Sequence, residues 1–213
     1  RGRGGRQPDQ VMRSYTITPL RTEAPVWAEV PTLQADNILW LPDVGVRMVQ
    51  QMCYDAQHLY VRQQAWEQNI RAEHSGYLQQ VCEDSCMEFF FRPTERPDYF
   101  NVEMNPNKAI WLGVGPCIQE LIRLQVPRVH TMLDTQVEFT DTGWVLKYQI
   151  PFAFIRRFFP DFEAKEGGKI YGNAYKCGDE TVKTHYLAWS PIGCKEPMFH
   201  CPEYFGCLIF GTY

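Results

Sequence analysis

The sequence predicts an all-β protein, an antiparallel β-sandwich or jelly roll carrying one or two short helices. Three observations lead there. Aromatic residues make up 14% of the 213-residue chain, and pleated sheet surfaces favour them. The 15 Gly and 15 Pro are spread along the sequence and cut it into short segments. Within those segments apolar and polar residues alternate with the period of two that a half-buried strand requires. Hydrophobic residues at 45% and charged residues at 22% are ordinary for a globular protein, which excludes a disordered or collagen-like chain. A chain of this length buries roughly 70% of its unfolded surface. Residues 13–213 read as a single domain behind a flexible basic tail, 1–12.

The strands follow in order. Residues 46–54 and 58–66 flank Asp55-Ala56-Gln57, a loop with the length and composition of a hairpin connection. Residues 85–92 end at Pro93. In 99–105, closed by Pro106, Phe100, Val102 and Met104 alternate with Asn101, Glu103 and Asn105, which places the first three in the core. Residues 143–150 put Trp144, Leu146, Tyr148 and Ile150 on one face before Pro151 stops the strand. Segments 169–177, 184–190 and 207–210 continue the pattern. Helical spacing is confined to Ile118, Leu121, Ile122 and Gln125 after Pro116, and to 152–159 before Pro160. Asp55, Asp84, Asp98 and Asp179 lie beside turn residues, where a carboxylate folds the turn by accepting backbone N–H groups.

Charge and cysteine content narrow the function. A net charge of −4 gives no electrostatic reason for a nucleic-acid partner. No run approaches the ~18 apolar residues of a membrane helix, so no membrane partner is expected. The eight cysteines lack any Cys-x-x-Cys pair and read as mostly reduced, buried thiols, although Cys194, Cys201 and Cys207 crowd His200. Free thiols favour the cytoplasm. Residue 1 is not Met, so a removed signal and secretion stay open. No nucleophile elbow, phosphate loop, dinucleotide fingerprint or EF-hand loop is present, and an independent catalytic activity is not expected.

Trp27-Ala28-Glu29-Val30, Leu59-Tyr60-Val61-Arg62, Glu83-Asp84-Ser85-Cys86-Met87-Glu88-Phe89-Phe90, Tyr99-Phe100-Asn101-Val102-Glu103-Met104-Asn105 and Gly172-Asn173-Ala174-Tyr175-Lys176-Cys177 occur in a telling order. Leu187-Ala188-Trp189-Ser190-Pro191 and Phe199-His200-Cys201-Pro202-Glu203-Tyr204-Phe205-Gly206 complete it. Over roughly residues 14–210 the chain resembles the carbohydrate-binding modules of family nine. The resemblance implies a β-sandwich that binds sugars without cleaving them, often with structural calcium, and that serves beside other domains of a glycan-degrading system. It also implies two Trp rings clamping a terminal sugar of a plant or host glycan. Trp189 matches one clamp position, Val81 and Cys82 stand at the other, Glu88 matches the sugar-binding Glu, and Asn101 stands where an Arg is expected.

A sugar ring presents an apolar C–H face and a rim of hydroxyls that donate and accept, so its site needs an aromatic platform beside planar polar groups. The candidate carbohydrate-binding residues are Trp189 as platform with Glu88, Asn101, Glu103, Asn173 and Lys176 around it. Asn101 and Glu103 share a strand face because they are two apart. Two alternatives belong to other classes. One is a haem-binding electron-transfer sandwich, with Met104 and His130 as axial ligands. The other is an accessory domain without its own ligand.

Overall fold

The computed structural model describes residues 12–213; of the expected basic tail, all but Met12 lies outside the described residues. The strands are β1 (Ser14–Pro19), β2 (Leu33–Gln34), β3 (Asn37–Ile38), β4 (Arg47–Tyr54), β5 (His58–Trp66), β6 (Cys86–Arg92) and β7 (Tyr99–Met104). They continue with β8 (Ile110–Gly115), β9 (Ile122–Arg123), β10 (Gln136–Thr140), β11 (Gly143–Pro151), β12 (Lys169–Cys177), β13 (Tyr186–Ala188) and β14 (Gly206–Phe210). The helices are α1 (Val129–Met132) and α2 (Phe152–Phe158). None is long and apolar enough to cross a membrane.

Two layers form the sandwich. In the first, β10, β11, β5 and β4 pair in that order and β2 adds to β4. In the second, β14, β12, β6, β7, β8 and β9 pair in order, with β13 against β12 and β3 against β13. Strand β1 links the layers, running parallel to both β14 and β4. The expectation of a sandwich holds, and these two parallel pairings are its exception to antiparallel order.

The β4–β5 hairpin shows how side chains fix register. Asp55 Oδ1 accepts the Gln57 and His58 N–H groups at 2.7 and 2.8 Å, and Oδ2 accepts Tyr60 Oη–H at 2.7 Å. The folded turn sets Tyr54 opposite Leu59. Period two then sends Met87, Phe89 and Phe91 of β6 and Phe100, Val102 and Met104 of β7 between the layers. There they meet Trp144, Leu146 and Tyr148 of β11. The opposite face of the second layer carries a separate cluster, including Phe90, Tyr99, Tyr175, Ala188 and Phe199, covered by loops.

The helix expected at 118–125 is absent. Residues Ile118–Glu120 make one 3-10 turn, and Ile122 and Arg123 become β9, pairing with Val114 and Gly113. The open edge of β8 offers backbone partners that a short surface helix lacks, and tertiary pairing overrides the local spacing. The strand expected at 184–190 shortens to β13.

Candidate functional site

The loop-covered face of the second layer encloses a cavity of about 600 Å³. Its floor follows from strand parity. Glu88 of β6 and Glu103 of β7 stand directly opposite each other, as do Glu103 and Trp111 of β8, and Cys177 of β12 pairs with Cys86. Arg123 of β9 lies over the Trp111 ring, its guanidinium carbon 3.3 Å from the ring centroid. Trp40, which follows β3, and Tyr186 of β13 line the other flank with Phe199 and His200. Since the pairing runs β3, β13, β12, β6, β7, β8 and β9, Trp40 and Trp111 belong to opposite flanks of the Glu88–Glu103 centre.

The two carboxyl groups behave as one unit. They are hydrogen-bonded to each other; Glu88 is 2% exposed and Glu103 is 6% exposed. Burial pushes Glu88 well above the usual carboxylate range, reinforced by Cys177 and by the charge on Glu103. Burial also raises Glu103, to about 7, against the lowering effect of hydrogen bonds from Glu88 and Asn101 and of Arg123's charge. At neutral pH the pair therefore holds a proton on Glu88, which donates, while Glu103 accepts. Asn101 Nδ2 donates to Glu103 Oε2 at 2.7 Å, and Cys177 Sγ–H donates to Glu88 Oε2 at 3.0 Å. His200 is held down to about 4 by burial and stays neutral, with Nδ1 2.8 Å from Tyr99 Oη.

Several polar atoms here have no protein partner. Trp111 Nε1 and Arg123 Nη2, both on residues lining the cavity, are buried and unbonded, as is Asn101 Oδ1 behind Glu103. Buried polar atoms are rarely left so unless a ligand or water completes them. Gly113 faces Asn101, and a Cβ there would overlap Asn101 Oδ1, so glycine is what admits the amide. Trp40 sits in the left-handed region with φ 59°, a conformation costing ~1–3 kcal/mol for a bulky residue. Its Nε1 donates to the Cys194 carbonyl at 2.7 Å, which fixes the ring.

The expected site residues divide. Glu88 and Glu103 meet in the cavity, and Asn101 stands behind Glu103. Asn173 lies on the same face, but its side chain is spent on structure: Oδ1 accepts Ser190 and Ala174 N–H, and Nδ2 donates to the Ser190 carbonyl. Trp189 is 4% exposed and packs in the interlayer core, its ring against Gly206. It offers no face to a ligand. Lys176, 0% exposed, projects to the interlayer side because it is one residue from Tyr175 and Cys177. There Nζ donates to Glu67 Oε2 at 3.1 Å, to the Cys177 carbonyl at 3.0 Å and to His185 Nε2 at 2.8 Å.

Trp40, Trp111 and Arg123 escaped the sequence reading. For Trp111 a signal existed: Ile110, Leu112 and Val114 alternate with Trp111, Gly113 and Gly115. Trp40 lies in an irregular loop with no periodicity to read.

The structure also bears on cofactors. The donor set that comes together among the described residues is Cys86, Glu88 and Cys177, two thiols and one carboxyl. Calcium takes six to eight oxygens, so this set does not fit it. The buried carboxylate of Asp84 is saturated by donors: Arg71 Nη1 at 2.6 Å, the Glu73 and His74 N–H groups, and Asn105 Nδ2. For haem, Met104 is sealed in the core and His130 Nδ1 is taken up by Thr135 Oγ1 at 2.8 Å.

Comparison with known proteins agrees with the fold. The sequence profile of carbohydrate-binding family 9 matches residues 19–210, nearly the whole chain. The chain belongs to carbohydrate-binding family 9. A protein of Bacteroides uniformis ATCC 8492, provisionally assigned to carbohydrate binding, is 25% identical and superposes with a TM-score of 0.80. The match covers 94% of this chain and 100% of that one. A family 9 module of Caldicellulosiruptor kristjanssonii, solved with cellotriose, shares 9% identity and a TM-score of 0.67 over 94% of this chain and 95% of that one. The same module solved with glucose gives the same score, with 97% of that chain covered. At that identity these two establish the shared family 9 fold. No curated protein matches the chain. Carbohydrate binding is thus the function of this family 9 domain.

Proposed function

We propose that the cavity over Glu88 and Glu103 is the sugar site and that it holds a neutral sugar ring of a plant or host glycan without cleaving it. The observation that carries this reading is the coincidence of an aromatic flank on each side with unbonded buried donors, Trp111 Nε1 and Arg123 Nη2, around a carboxyl pair with acceptor lone pairs. Trp40 and Trp111 supply apolar faces for the C–H face of the ring. With the Glu88 proton held between the two carboxyls, their remaining oxygen lone pairs accept from hydroxyls, and Arg123 and Trp111 donate to oxygens. Asn101 acts through Glu103, holding its carboxylate in place. Arg123 balances the charge on Glu103, which suits a neutral ligand.

The pair is not built for hydrolysis. Glycosidases separate their two carboxyl groups by ~5–9.5 Å across the scissile bond, whereas Glu88 and Glu103 share a hydrogen bond. A binding role beside other domains of a glycan-degrading system fits this arrangement.

Calorimetry with glucose, cellotriose and a panel of neutral oligosaccharides tests the reading. Trp111→Ala should weaken binding by about 1–3 kcal/mol, or ~5–150-fold. Glu103→Gln should weaken it comparably by leaving hydroxyls unpaired. Trp189→Phe should leave affinity unchanged. A ligand whose affinity ignores Trp111→Ala and Glu103→Gln would place the site elsewhere.

A further inference from the structure

Among the described residues, a half-buried thiol, Cys194, meets a buried one, Cys201. Cys194 Sγ and Cys201 Sγ are 3.1 Å apart, at the two ends of a segment without regular secondary structure. That segment supplies Pro197, Met198, Phe199 and His200 to the cavity wall, while neither sulfur lines the cavity. The middle of the segment is anchored to the sheet. Phe199 stacks on Tyr175 with centroids 4.2 Å apart, its carbonyl accepts Tyr175 Oη–H at 3.0 Å, and His200 Nδ1 contacts Tyr99 Oη. Its beginning is held at the Cys194 carbonyl by Trp40 Nε1. Nothing but the sulfur contact ties Cys194 Sγ and Cys201 Sγ to each other, and that contact is about 1 Å longer than the ~2.05 Å of a disulfide bond.

We propose that Cys194 and Cys201 form an intramolecular disulfide in an oxidising compartment, a latch that closes the segment carrying Met198, Phe199 and His200 and fixes that wall of the cavity. The oxidant is a small-molecule disulfide such as oxidised glutathione. Cys194, the more exposed of the two, attacks first as the thiolate. It forms a mixed disulfide and expels one glutathione thiolate. Burial and the neighbouring Cys194 sulfur raise the Cys201 thiol, so it acts second. Its proton passes to the expelled thiolate, its sulfur attacks Cys194 Sγ, and the bond to the second glutathione breaks. Two protein thiols are oxidised and one glutathione disulfide is reduced to two thiols. Cys53, Cys86, Cys177 and Cys207 are buried away from an oxidant and stay reduced.

The sequence supplies a direct assay, because exposed Lys195 lies between the two cysteines. The full chain is equilibrated with oxidised glutathione, quenched with N-ethylmaleimide and digested with trypsin without reductant. Cleavage after Lys195 should leave peptides 184–195 and 196–213 joined, 2 Da lighter than the two thiol peptides together, with Cys207 alkylated. Reductant should separate them. In the Cys201→Ser variant a glutathione adduct should persist on Cys194. Hydrogen exchange at the amides of residues 198–201 should slow severalfold in the oxidised chain and recover on reduction, a readout that does not depend on any sugar. Separate, alkylated peptides from the oxidised wild-type chain, a cross-link surviving in Cys201→Ser, or exchange at 198–201 indifferent to oxidation would each overturn the proposal. Reversal by reductant in the unmutated chain keeps the test valid if the variant folds poorly.

Discussion

Lys176 offers a sharp test of the interlayer packing. Its ammonium is fully buried and every donor is used, on Glu67, on the Cys177 carbonyl and on His185. Glu67 spends its other oxygen on Trp144 Nε1 at 2.6 Å. Replacing Glu67 by Gln leaves a buried ammonium without its counter-charge, and replacing Lys176 by Met leaves a buried carboxylate. Removing one member of a buried pair typically costs about 3–5 kcal/mol. For a chain of this size each kcal/mol moves Tm by ~2–4 °C, so either change should lower it by roughly 6–20 °C. The double variant Glu67→Gln, Lys176→Met leaves no net charge behind and should cost much less than the two single changes together. Urea titration at constant m-value and thermal scans read the cycle. Breaking the exposed Arg47–Asp43 pair is the control and should leave Tm where it is. Single losses below about 1 kcal/mol, or an additive double variant, would refute the pairing described.

Three further outcomes follow from the same geometry. Sugar affinity should rise as pH climbs through about 7, where Glu103 loses its proton and becomes a full acceptor while Glu88 keeps its own, and Glu103→Gln should flatten the profile in calorimetry. Stability should split by sign. Raised Glu103 contributes stability present below its ordinary value near 4.5 and lost as pH climbs through about 7, and raised Glu88 acts in the same direction. His185 and His200, held down to about 4, contribute stability present above about 6.5 and lost as pH falls through 4. The two slopes oppose each other between them. The Glu88→Gln, Glu103→Gln double variant should therefore show denaturant midpoints that fall on acidification more steeply than the wild type. Gly113→Ala should displace Asn101, lowering sugar affinity severalfold and thermal stability together; unchanged affinity would show that Asn101 does not position Glu103.

Much of the fold was legible because burial on one face writes a period of two into the sequence. Phe100, Val102, Met104, Trp144, Leu146 and Tyr148 all occupy the interlayer core. The same period carried Glu88, Asn101 and Glu103 to one face. What alternation does not reveal is whether a face is roofed. Both faces of the second layer are buried, so Trp189 looked like a platform and is core, and Asn173 looked like a ligand group and is a strut. Lys176 was misplaced by one residue of parity, since its neighbours Tyr175 and Cys177 point into the loop-covered cluster. Trp40 and Arg123 joined the site through a loop and an edge pairing, which depend on contacts far apart in the chain.

The most direct measurement is a crystal structure of the chain with a bound neutral oligosaccharide such as cellotriose. The account predicts a sugar ring between Trp40 and Trp111, with hydroxyls within hydrogen-bond distance of Glu88, Glu103 and Arg123. A sugar seated instead in the separate cavity of about 410 Å³ over Glu67 and His185, or on the outer face of the first layer, would contradict it.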